Sequence, residues 1–160
     1  MPYHIAHMNY ARLRHPAGDP RVAEFIDNVP KVNAIAERSP GFVWRMQDEG
    51  ARVSDTVTFE ALDEDPLIAA SLSVWERPED LQSFVQKTVH GAFLRRRAEW
   101  FEPAQGPNYV IWPVAVGHRP SMNEAKSRLA RLAADGPSTA AYDFKYMVAR
   151  MGGSSGGDFQ

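Results

Sequence analysis

Two hydrophobic periods take turns along this chain, and the order in which they do so limits its fold more than any other feature. Residues 67–75 alternate strictly, with Ile68, Ala70, Leu72 and Val74 opposite Ala69, Ser71, Ser73 and Trp75. That is the period of a strand with one wholly apolar face. Residues 3–13, 42–47 and 108–116 share the β character, whereas Val22, Phe25, Ile26, Val29, Val32, Ile35 and Ala36 recur at helical spacing. A second helical stripe passes through Leu81, Phe84 and Val85. The order is strand, helix, strand, strand, helix, strand, which predicts a ferredoxin-like α+β fold with an antiparallel sheet and helices on one face.

The punctuation agrees. Asp19-Pro20 places an N-cap before proline at the first helical position, Ser39-Pro40-Gly41 ends that helix, and Arg77-Pro78-Glu79-Asp80 opens the next. Pro30 should kink the first helix near Val29. Residues 48–66 are acidic and weakly patterned, a loop with at most a short strand at 53–59. After the fourth strand, Ser121-Met122-Asn123-Glu124 is a capping box opening an added helix through Met122, Ala125, Leu129 and Leu132, which Gly136-Pro137 closes. Tyr142, Phe144 and Tyr146 alternate like an edge strand or a partner-crossing arm. One domain over 1–150 is expected, with 151–160 a disordered Gly/Ser tail.

A sheet covered on one face leaves the other bare, and an apolar patch of that size calls for a partner. Pairing two such faces gives a homodimeric αβ barrel with an internal cavity. At 160 residues, 44% hydrophobic and 24% charged, the chain suits one globular core. Its zero cysteines exclude disulfides, thiolate metal sites and a thiol nucleophile. A net charge of −2 gives no attraction to phosphate backbones, and in the basic cluster Arg95-Arg96-Arg97 the first two are better read as a solvated face, so no nucleic-acid partner is expected. No apolar run approaches the roughly 20 residues of a membrane span, and residues 1–13 lack a secretory core, so no membrane partner and a cytoplasmic location are expected.

His90 is the first candidate for chemistry, because it starts a stripe with Phe93, Leu94, Arg97, Trp100 and Phe101. A histidine there can shuttle protons or ligate a metal; the alternative is a core histidine satisfied by a carbonyl. Arg97 on the same stripe would hold a ligand carboxylate or pair with Glu76 or Glu99. His7 and Asn9 share a face of the first strand, as Ser71, Ser73 and Trp75 do on the third. With Arg45 and Gln47 on the second they would line a pocket of few polar groups on an aromatic wall. In the enzymatic reading His90 is the acid or base, Arg45 and Arg97 hold an anionic or enolate oxygen, and Trp75, Trp100 and Trp112 form apolar walls.

Four stretches read together as a family pattern: Ser39-Pro40-Gly41-Phe42-Val43-Trp44-Arg45, Ser73-Val74-Trp75-Glu76, His90 with Phe93-Leu94-Arg95-Arg96-Arg97 and Glu99-Trp100-Phe101, and Gly117-His118-Arg119-Pro120. They closely resemble the DUF3291 family, bacterial domains of unknown function grouped with the dimeric αβ-barrel proteins. The resemblance implies that fold, and an activity among those the group holds: cofactor-free monooxygenases, cyclases, haem-degrading enzymes and stress-response proteins. A small-molecule enzyme without an organic cofactor is the first expectation, and a non-catalytic binder or sensor the second. Haem ligated by His90 is the third, although haem-degrading members place a tryptophan where this chain has Phe84.

Overall fold

The computed structural model describes residues 3–16, 18–46, 57–58, 67–89, 96–104 and 106–154. Five strands form one antiparallel sheet: β1 (Tyr3–Arg12), β2 (Phe42–Arg45), β3 (Val57–Thr58), β4 (Ile68–Trp75) and β5 (Tyr109–Ala115). Their order is β2-β4-β1-β5, with β3 also on β4, and every pair is antiparallel. This is the ferredoxin-like α+β arrangement predicted from the element order. Asp19 accepts from the Arg21 N–H and starts a 3-10 turn (Pro20–Val22), which leads into helix α1 (Ala23–Arg38) with Pro30 inside it. Helices α2 (Pro78–Val89), α3 (Arg97–Trp100), α4 (Met122–Asp135) and α5 (Phe144–Ser154) follow.

The register of the two central strands sorts the side chains. His7 lies opposite Ser73 and Asn9 opposite Ser71 on one face; Ala6 lies opposite Val74 and Met8 opposite Leu72 on the other. The first face packs under α1, α2 and α5, where Ile5, Trp75, Leu81, Ile111, Met147 and Met151 share a buried cluster. On the second face, Ala6, Met8, Leu72, Val74 and Trp112 are 0–1% exposed within the single chain. Met122, Ala125 and Leu132 of α4 belong to that same cluster. Thus the added helix packs on the face that the sequence pattern left bare. Ser121 caps it by accepting from the Glu124 N–H, while the Glu124 carboxylate accepts from Trp112 Nε1 (2.9 Å) and meets His118 Nε2 (2.7 Å). Gly136 at φ 77° ends the helix where the sequence placed its stop.

Three local readings are corrected. In β2, Phe42 pairs with Trp75 and Trp44 with Val74, so a bulge at Val43 puts Phe42 and Trp44 on opposite faces instead of together. Tyr142 does make one bridge, exchanging both backbone hydrogen bonds with Ile111, but Phe144 and Tyr146 then enter a helix rather than an arm. That helix continues to Ser154 and buries Met151, inside the segment read as tail. The short strand expected within 53–59 is present as β3, and the rest of the 48–66 loop lies outside the described residues.

Candidate functional site

Between the sheet and its helices lies a cavity of about 450 Å³, formed entirely within one chain. Its floor is polar: His7 and Asn9 of β1, Ser71 and Ser73 of β4, and Arg45 of β2, brought together because their positions share one sheet face. Its roof is apolar: Phe25, Val29, Val32 and Ala36 from α1, Phe84 and Val85 from α2. Trp100, Phe101, Tyr109 and Phe144 complete the walls. Such a combination, apolar walls with a few placed polar groups, is the usual constitution of a small-molecule site.

His7 is its distinctive member. The ring is 7% exposed and sits 5.6 Å from the Phe144 ring and 6.0 Å from that of Tyr109. Burial without a carboxylate neighbour lowers its pKa to about 4, so the imidazole is neutral at pH 7. Asn9 accepts from the Ser71 hydroxyl at 2.5 Å, and Ser73 accepts from Trp75 Nε1 at 3.0 Å. The Tyr109 oxygen accepts from the Phe144 N–H at 2.9 Å, and burial raises its pKa. Arg45 donates to Glu37 at 2.7 Å.

Of the residues expected from sequence, His7, Asn9, Ser73, Arg45, Arg97 and Trp100 all line this cavity. Trp75 does not. It is fully buried beside the cavity on the same sheet face, stacked on Phe84 with ring centroids 4.9 Å apart, and serves Ser73 as a donor. Trp112 lies on the opposite sheet face, because β5 pairs Trp112 with Ala6 and Ile111 with His7. Arg97 is exposed, its guanidinium 5.8 Å from the Phe101 ring, rather than on a buried stripe. Its neighbour Arg96 takes the acids, pairing with Glu99 and Glu24 over the Trp100 ring. His90, with the haem ligation assigned to it, lies outside the described residues. Among the described residues no group of three His, Asp or Glu side chains is placed to hold a metal ion.

Sequence reasoning missed Asn33, Tyr109 and Phe144. Asn33 had a signal, a polar residue in the helical series Val29, Val32, Asn33, Ala36. Its Nδ2 is buried and has no hydrogen-bond partner among the described residues.

Fold and site together define a ferredoxin-like α+β protein with a mostly apolar cavity and a neutral histidine in its floor. The chain belongs to the domain-of-unknown-function family DUF3291, whose model matches residues 4–155. Two solved structures from Nitrosomonas europaea are similar in fold. One, a protein of unknown function, is 11% identical with a TM-score of 0.45, and the match covers 75% of this chain and 97% of the other. The second, described as a candidate antibiotic biosynthesis monooxygenase, is 12% identical with a TM-score of 0.41, covering 75% and 95%. No curated protein matches the chain.

Proposed function

We propose that the protein encloses and acts on an apolar, aromatic or polyketide-like small molecule, in the manner of a cofactor-free monooxygenase or cyclase. His7 takes the proton-handling role first expected of His90. The observation that carries this reading is the neutral, buried imidazole in the polar floor of an aromatic-walled cavity. A neutral histidine offers one donor and one acceptor, so it can take a proton from an acidic C–H or O–H and return it to a neighbouring atom. The Asn9–Ser71 pair and Ser73 beside it orient polar substituents, while the rings hold the body of the molecule.

A second reading, a non-catalytic binder or sensor, is favoured by the same pKa. A base whose conjugate acid titrates near 4 is weak at pH 7, and it serves recognition as well as proton transfer. One experiment separates the two. Native mass spectrometry of protein purified from its own host would identify the co-purified molecule, which is then incubated with fresh protein. The enzymatic reading expects a product of changed mass, lost with His7→Phe; recovery of the molecule unchanged selects the binder. Ser71→Trp, which fills the cavity, should abolish capture in either case, and undiminished capture would overturn both readings.

A further inference from the structure

We propose that the cavity is built for an anion: an aromatic organic acid that offers oxygen acceptors to the floor. The proposal rests on the small-molecule reading above and adds the ligand's charge and hydrogen-bonding character. Charge is the first observation. The described residues around the cavity include two arginines and no aspartate, glutamate or lysine, although the chain carries a net −2. Glu37 engages Arg45. Arg97 has no ion pair among the described residues and lies against a ring face instead. The site thus reverses the sign of the molecule around it, which favours an anion and disfavours a cation.

Hydrogen-bond accounting is the second and independent observation. Ser73 Oγ accepts from Trp75, the Tyr109 oxygen from the Phe144 N–H, and Asn9 Oδ1 from Ser71. In each group an acceptor is used within the protein, which leaves the group's own hydroxyl or amide protons to face the cavity. Asn33 Nδ2 is a further donor, buried and without a partner among the described residues. Asn33 Nδ2 is the buried donor that such a ligand satisfies, because an acceptor placed against it removes the cost of leaving it unpaired. Carboxylate, phenolate and enolate oxygens all accept and carry the negative charge that would pair with Arg97. An enolate held this way is also stabilised where proton removal would create it.

The test uses three probes that share one ring system and differ in charge, 2-naphthoate, 2-naphthylmethylammonium and neutral 2-naphthol, titrated calorimetrically into the full chain at pH 7.5. Naphthoate should bind at least about tenfold more tightly. Arg97→Gln, at an exposed position, should weaken naphthoate about tenfold and leave the ammonium no weaker. Asn33→Leu should weaken naphthoate while raising the melting temperature of the free protein, since it removes an orphaned donor. Equal affinity, or preference for the ammonium or for neutral 2-naphthol, overturns the anion proposal and leaves the small-molecule reading standing. Failure of all three probes to bind overturns both.

Discussion

His7 charges reluctantly, and that reluctance is measurable as stability. The unfolded chain protonates this histidine near 6.5 and the folded chain near 4, so between those values the folded state binds fewer protons. Nothing is lost above pH 6.5. As pH falls from 6.5 to 4, folding should weaken by about 3 kcal/mol at most from this group. Denaturant midpoints of wild type and His7→Phe at pH 7 and pH 4.5 check it: the variant should decline less, and parallel declines would remove the basis for a buried neutral imidazole. Gly41 gives a second test. Its φ is 81°, and a Cβ there would stand 2.0 Å from Asp80 Oδ2. Gly41→Ala should therefore cost roughly 2–4 kcal/mol by thermal melting, from backbone strain and the clash with a buried carboxylate.

At the level of elements, what could be read from sequence depended on whether one period governed a segment. The polar floor was legible because β1 and β4 alternate without interruption, so His7, Asn9 and Ser73 fell on one face and were brought together as expected. Where the backbone departs from regularity, alternation misleads. The bulge in β2 separated Phe42 from Trp44, and the phase of β5 relative to β1, set by pairing rather than composition, sent Trp112 to the far face. Tyr142, Phe144 and Tyr146 look like a strand because i and i+2 spacing over so few residues cannot exclude a helix. That misreading has a consequence for truncation. Cutting after Arg150 removes buried Met151 from the cluster beneath α5, and should lower stability by about 1–3 kcal/mol rather than leave it unchanged. Helix α4 supplies another test: Glu124→Ala strands the buried Trp112 N–H and should cost about 1–3 kcal/mol in urea denaturation. An unchanged midpoint would mean that Glu124 serves only the exposed His118.

For the whole molecule, the order of elements and their end signals were sufficient to define the sheet, because few connections satisfy that order. What the pattern could not show was where the added helix goes. A stripe through Met122, Ala125 and Leu132 fixes that the helix is amphipathic but names no surface, and the structure lays it on the face assigned to a partner. The homodimer stands as a proposal. Sedimentation equilibrium at micromolar concentration should show twice 17.9 kDa if it forms, and a single 17.9 kDa species would end it. No helix among the described residues is long and apolar enough to cross a membrane.

Helix α4 is joined to the sheet it covers by a handful of residues, so its packing on that face is a first-order event. Its extent does not depend on how many copies are present. The cavity on the other side of the sheet draws its described lining from residues of the same chain. Tryptophan emission recorded over a hundredfold range of concentration should report the same buried environment for Trp112 throughout.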